Sequence, residues 1–276
     1  MCYNCRYETK LQVQKRGVCS AYLASIADAA AAAGAGPAAG AAPPRLLPIW
    51  LSDGSLKAPA DPRVPMILVG PGTGIAPFRS FLEDRQQQRK QAAAAQSQGQ
   101  APHGDVQLFF GCRNQAADFY FAEQWETMLS DGTLTGLHTA FSRDGASKVY
   151  VQQRIKDAGA VLWPLLVGDG EERPPAMVYV AGNAVRARAS SSPCLCVCVR
   201  VCVCVCVCSA PLVPPRLTDS VRAFACWLCL QTNMPAAVRR AFVSVVMTHG
   251  GLADAAAESF VRAMEKARRY QTETWA

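Results

Sequence analysis

The sequence predicts an α/β protein built on a doubly wound parallel sheet, and three observations carry that reading. From Pro65 onward, short apolar runs alternate with helix-length segments. The runs are continuously apolar rather than alternating, as strands are when helices cover both faces of their sheet. The first run leads through Gly70, Gly72 and Gly74 directly into a helical segment, the arrangement with which such sheets bring backbone close to a phosphate.

Taken in order, Tyr7 to Ala24 reads as a strand, a basic turn at Lys15, Arg16 and Gly17, and the start of a helix. Ala27 to Pro44 is an Ala/Gly/Pro tract without amphipathic period. It is expected to be a loop, because Gly34, Gly36, Pro37 and Gly40 would break a helix within a few residues. Met66 to Val69 is the first strand of the sheet, followed by the glycine turn and a helix from Ala76 to Arg89. Val106 to Phe110 is the second strand, with a helix around Phe119 to Met128. Leu134 to Phe141 is the third strand, Val149 to Ala158 a helix, and Ala176 to Ala181 the fourth strand. Pro235 to Thr248 and Ala253 to Ala267 are the last helices.

With 276 residues and half of them hydrophobic, the chain can bury one sizeable core, or one core plus a remnant of a second. The formal net charge is +7, but the basic residues stand singly rather than in a stripe, so no nucleic acid partner is expected. No apolar run approaches the ~18 residues that span a bilayer, and Met1 to Thr9 is too polar for a signal peptide. No membrane association is expected, and the location expected is cytoplasmic.

Nine of the 13 cysteines lie between Cys194 and Cys229, leaving Cys2, Cys5, Cys19 and Cys112 elsewhere. The clustered ones belong to a segment, residues 185–231, that fits no other part of the chain. It contains the alternating run CLCVCVRVCVCVCVC and ends near Cys226-Trp-Leu-Cys229. As a strand the run would place its cysteines on one face, and the Cys-x-x-Cys would resemble half of a redox or zinc site. Alternating Val and Cys is also what a GTGTGT nucleotide repeat encodes, with Arg200 one base away from it. The segment can begin with GT at the Val185 codon and end with AG at the Gln231 codon. The preferred reading is translated intron sequence. Its five Arg and one Asp supply +4 of the +7, leaving +3 for the rest. No metal site is expected.

The string MILVGPGTGIAPFRSFLEDR, Met66 to Arg85, places its glycines between strand and helix, where helix N–H groups can meet a phosphate. An ordinary strand-to-helix loop could carry such a turn alone. Four further strings stand in order behind it: FFGCRN at Phe109 to Asn114 with Asp118-Phe119-Tyr120, AFSRD at Ala140 to Asp144, KVYVQ at Lys148 to Gln152, and YVAGNA at Tyr179 to Ala184. Together they resemble the C-terminal part of the ferredoxin-NADP reductase superfamily, and within it the diflavin reductases. The resemblance covers Tyr7 to Ala184 and Thr232 to Ala276, nearly everything outside the Ala-rich loop and the Val/Cys segment.

That resemblance implies an NADP-binding domain of ferredoxin-NADP reductase type at 63–276, interrupted by 185–231. At 1–62 it implies the remnant of an FAD-binding β-barrel with the Ala-rich loop. It implies NADPH and FAD as cofactors and FMN in the intact protein, whose FMN domain and Arg-x-Tyr-Ser flavin motif would precede Tyr7. This chain is accordingly expected to be a C-terminal fragment with an incomplete flavin pocket. Thr73 is implied as a cofactor contact.

Ser142, Arg143, Lys148, Tyr150 and Gln152, with Val149 and Val151 between them, make physical sense as an adenosine 2′-phosphate site. Arg143 and Lys148 supply countercharge, Ser142 and Tyr150 hydroxyl donors, and the ring can stack on adenine. RGVCSAYLA, Arg16 to Ala24, is similar to the family's flavin pyrophosphate loop, in which Gly17, Val18, Cys19 and Ser20 present backbone donors. Cys19 is expected to be a packed small residue. At the C-terminus, Trp275 takes the place of the family's aromatic residue over the flavin, and Glu273, with Asn183, that of groups that position the nicotinamide. Two departures weaken other contacts: Thr232 stands where a Lys is usual, and Ala237 where an acid is. The Trp-Ala terminus and Ala181 in AGNA are similar to the cytosolic diflavin reductases that feed electrons to an iron-sulfur cluster assembly protein. The function implied is NADPH-to-FAD hydride transfer. The alternatives are a flavoprotein like P450 reductase or sulfite reductase, or an inactive NADP-binding fragment.

Overall fold

The computed structural model describes residues 6–8, 14–16, 18–32, 48–51, 53–94, 103–170, 173–184 and 233–275. The chain divides into two compact units, Met1–Gly54 and Ser55–Ala276. Residues 185–231, with both readings of the Val/Cys run, lie outside the described residues, as do Gly17 and Thr232.

In the first unit, β1 (Arg6–Glu8) pairs antiparallel with β2 (Gln14–Arg16), and α1 runs from Val18 to Ala32. Two expectations are corrected. Lys15 and Arg16 are strand residues rather than a turn, because they lie opposite Tyr7 and Arg6 in the ladder and a partner strand sets their backbone regardless of charge. The helix also continues into the alanine tract as far as Ala32. Alanine is the strongest helix former, and the first glycine breaker comes only at Gly34.

The second unit holds a five-stranded sheet. Its elements are β3 (Met66–Val69), a 3₁₀ turn (Gly72–Gly74), α2 (Ile75–Ala94), β4 (Val106–Cys112), α3 (Gln115–Asp118) and α4 (Ala122–Ser130). These are followed by β5 (Gly136–Phe141), α5 (Val151–Asp157), α6 (Gly159–Val167), β6 (Met177–Asn183), α7 (Met234–Gly250), α8 (Asp254–Lys266) and β7 (Tyr270–Trp275). Every pairing is parallel, in the order β5-β4-β3-β6-β7. The doubly wound reading is therefore correct.

Successive strand residues point to opposite faces, and the core follows that rule. Ile67, Val69, Phe109, Val178 and Val180 pack with α5, α6, α7 and α8 on one face. Met66, Leu68, Leu108, Phe110 and Tyr179 pack with α2 and α4 on the other. Helices cover both faces, which is why these strands are apolar throughout.

Helix α6 and strand β7 were not expected, and neither was the short α3 ahead of the helix expected around Phe119 to Met128. Helix α6 follows α5 after a single residue and contains Pro164, so it reads as a continuation interrupted by a breaker. Strand β7 is YQTETW, and only Tyr270 of it is buried; it is the sheet's edge and lacks the apolar run that marks the others. The third strand begins at Gly136 rather than Leu134, and α5 at Val151 rather than Val149. No helix of the described residues is long and apolar enough to cross a membrane.

Candidate functional site

The strand order places β3 at the centre. The chain proceeds outward from it to β4 and β5, then returns to its other side for β6 and β7. Connections after β3 and β6 thus leave in opposite directions, which opens a crevice beyond their C-terminal ends.

The walls of that crevice are tight. Gly74 is pressed on the end of β6, where a Cβ would run into the Ala181 carbonyl oxygen. Gly72 has φ +59° with nothing within 4 Å of where a Cβ would stand, so only glycine holds the turn without strain and the space beside it is open. Gly74 N–H donates to Pro71 O at 3.1 Å, and the twenty-residue α2 starts at the next residue. The first backbone N–H groups of that helix have no partner within it. Thr73, in the turn, is exposed.

Across the crevice, Asn183 stands opposite Trp275 and Ala181 opposite Glu273 in the β6–β7 ladder. Ala184 N–H donates to Trp275 O at 2.7 Å. Paired residues of a parallel ladder share a face, so Asn183, Glu273 and Trp275 project on the same side as Ala181, the side covered by α2. Trp275 remains 38% exposed.

A short strap crosses that side of the sheet. Ser55 Oγ donates to Glu273 Oε2 at 2.6 Å, and Lys57 N–H to Gln271 Oε1 at 3.1 Å. Tyr179 OH in turn donates to Lys57 O at 2.7 Å.

At the other end of the rim, the loops after β4 and β5 are tied together. Ser142 donates to Cys112 O through both N–H, at 3.0 Å, and Oγ, at 3.3 Å. Arg143 N–H donates to Arg113 O at 2.9 Å. Asp144 accepts from Asn114 Nδ2 at 2.8 Å and from Gln115 N–H at 2.7 Å. Arg143, Lys148 and Tyr150 are exposed, and Ser142 and Gln152 half-buried. Among the described residues, neither Arg143 nor Lys148 is in an ion pair, whereas Arg113 pairs with Asp118 at 3.4 Å.

Two of the residues expected at this end turn inward. Val151 is 3% exposed and its Cγ1 lies under Gly111, while Val149 packs against the same core. Their side chains are core, and only their backbone faces the loop. Cys112, half-buried at the end of β4, donates its thiol to Asn114 O at 3.5 Å. Burial, with Asp118 and Asp144 nearby, pushes that thiol up to about 11.

Four strand spacings, about 19 Å, separate β5 from β7, a span suited to an extended dinucleotide. The donor set fits one: two cations without ion pairs, two hydroxyls and an exposed ring at one end, and an amide, a carboxylate and an indole at the other.

A family model for the oxidoreductase NAD-binding domain matches residues 68–191. The chain is 34% identical over 273 residues to NADPH-dependent diflavin oxidoreductase 1 of Xenopus laevis, an overlap of 98% of this chain. It is 34% identical over 268 residues, 95% of the chain, to the protein of that name from Arabidopsis thaliana. The chain belongs to the diflavin oxidoreductase family. It is also 32% identical over 224 residues, 81% of the chain, to the NADPH sulfite reductase flavoprotein alpha-component of Vibrio vulnificus, covering 26% of it. This diflavin oxidoreductase chain spans 32% of the Xenopus relative and 31% of the Arabidopsis one.

In its first unit, Val18, Cys19 and Ser20 form the first turn of α1, whose leading N–H groups have no partner within the helix. Cys19 is exposed rather than packed, because the helix starts with Val18 85% exposed beside it. The residues that sequence reasoning passed over are Ser55, Asn114 and Asp144. Asn114 and Asp144 lie in the recognised strings, but their pairing across 30 residues leaves no periodic or spacing signal.

Proposed function

We propose that this chain binds NADPH along the C-terminal rim of its sheet and, within an intact flavoprotein, presents it to FAD. The observation that carries the reading is the division of the rim. Ser142, Arg143, Lys148 and Tyr150 gather at the β5 end, and Thr73, Asn183, Glu273 and Trp275 at the crevice between β3, β6 and β7.

When bound, NADPH supplies a hydride and FAD accepts it. The protein's part is binding and orientation. Arg143 and Lys148 neutralise the 2′-phosphate while Ser142 and Tyr150 donate to it. Charge-assisted contacts of about 1.5–3 kcal/mol each favour the phosphorylated nucleotide by on the order of a hundredfold or more. The open turn at Gly72 and the start of α2 receive the pyrophosphate. Thr73, Asn183 and Glu273 orient the nicotinamide, Glu273 being held by Ser55. Trp275 covers the flavin side and must move for the ring to enter. Val18, Cys19 and Ser20 hold the FAD pyrophosphate through backbone. Passage of electrons through FMN to an iron-sulfur cluster assembly protein, in the cytoplasm, completes the reading. It rests on the resemblance of the Trp-Ala terminus and AGNA.

A second reading is an NADP-binding module without catalysis. NADPH-driven ferricyanide reduction separates the two, measured beside a version with residues 185–231 deleted and a complete flavin barrel supplied. Activity in the completed version is expected, with a Trp275→Ala change shifting its NADPH-over-NADH preference. Activity in neither protein would end the reductase reading.

A further inference from the structure

We propose that Asp144 is the positioning residue that gives the site its selectivity for a 2′-phosphate, and that it acts against the sign of its own charge. The inference rests on the reading of Ser142, Arg143, Lys148 and Tyr150 as the 2′-phosphate site. By charge alone, a carboxylate next to Arg143 is misplaced there: it repels the dianion that the arginine is to bind.

The hydrogen bonds account for it. Neither oxygen of Asp144 is paired to a cation among the described residues. Oδ1 accepts from Asn114 Nδ2 at 2.8 Å and Oδ2 from Gln115 N–H at 2.7 Å, the first donor on the loop after β4 and the second at the start of α3 that follows it. The two loops are thus zipped, Ser142 to Cys112, then Arg143 to Arg113, then Asp144 to Asn114 and Gln115. Asp144 is the last tie. Beyond it Gly145, Ala146 and Ser147 are exposed and outside any helix or strand. Arg143 therefore sits between two fixed points, and a planar guanidinium discriminates a phosphate only when its stem is held. With its charge absorbed by two donors, the carboxylate costs less repulsion than its formal charge implies. Arg113 is already paired with Asp118, so the loop that Asp144 holds carries the cation left for a ligand.

The test is isothermal titration of the full chain with 2′,5′-ADP and with 5′-AMP, which differ in the 2′-phosphate alone. Asp144→Ala should weaken 2′,5′-ADP by about tenfold, a loss on the scale of one charge-assisted contact, and leave 5′-AMP within about twofold. A simple charge effect has the opposite sign, since removing a carboxylate would tighten 2′,5′-ADP. Asp144→Asn separates charge from tie: with the Asn114 amide turned over, both hydrogen bonds survive, and affinity should equal or exceed that of the unaltered chain. Asn114→Ala cuts the tie from the other loop with Asp144 intact, and should weaken 2′,5′-ADP selectively even if Asp144→Ala does not fold. Equal or tighter binding of 2′,5′-ADP in Asp144→Ala and Asn114→Ala overturns the proposal, and so does a parallel fall in 5′-AMP affinity. An unaltered chain that binds the two nucleotides equally overturns the site assignment and this inference together, a result distinguishable from the others.

Discussion

Replacing Gly74 by Ala tests whether the crevice is built as described. The new Cβ would collide with the Ala181 carbonyl oxygen and stand 2.6 Å from its carbon and 2.9 Å from Gly182 Cα. All three are backbone atoms of β6, which is held in register by β3 on one side and β7 on the other. Nothing there can swing aside, so the turn itself must move by roughly 1.5–2 Å to restore ordinary contact near 3.5–4 Å from the carbonyl oxygen. Overpacking of this kind costs about 1–3 kcal/mol. For a domain of this size each kcal/mol lowers Tm by roughly 2–4 °C, so the expected fall is about 2–12 °C. Gly72→Ala is the control for stability alone. Its Cβ meets nothing within 4 Å, and the residue pays only for φ +59°, about 1–2 kcal/mol, without displacing the turn. Thermal unfolding followed by circular dichroism and titration with NADP+ read both consequences. Gly74→Ala should lose stability and nucleotide affinity together, because Thr73 and the start of α2 move with the turn. A variant that melts within about 1 °C of the parent and binds NADP+ equally would refute the close approach of turn and strand.

Two further outcomes follow from half-buried titratable groups. His138 stacks on Phe109 at 4.4 Å and has Nε2 2.9 Å from Gln107 Oε1; burial, then Arg154, hold its imidazolium below the ordinary 6.5. The unfolded chain therefore takes up this proton first, so stability is full above about pH 6.5 and falls as pH drops through the folded value. Urea midpoints at pH 7.5 and 5.5 should differ, and the difference should shrink in His138→Leu, leaving the part due to His103, which is lowered in the same direction. An unchanged difference would count against a neutral, half-buried His138. Cys112, with its thiol up to about 11, should resist iodoacetamide at pH 8 while exposed Cys19 reacts; peptide mapping that finds equal labelling would contradict that environment.

The parts of the fold legible in the sequence were those whose cause is local. Met66 to Val69 reads as a strand because all four residues are buried, and the turn after it because glycines recur where backbone must approach backbone. Strand β7 was hidden by its edge position, since Gln271 to Trp275 carry no buried run. Pro164 concealed α6 by imitating a break. At the site, Ser142, Arg143, Lys148 and Tyr150 were legible from their chemistry. Val151 was read with them although it is buried under Gly111, since a string of residues does not say which of them faces out. The Asp144 tie and the Ser55 strap join segments 29–218 residues apart, and only the folded chain brings them together.

One contact has a meaning for how this chain can be cut. Met234 Cε lies against Gly182, 2.9 Å from where a Cβ would stand, so the strand that runs into the crevice ends beside the start of the helix that leads away from it. Residues 55–184 on one side of this seam and 233–275 on the other share the β6–β7 ladder and the packing of α7 and α8 on the sheet. The seam is where two separately made pieces have most to gain from finding each other, and where new ends would least disturb the sheet.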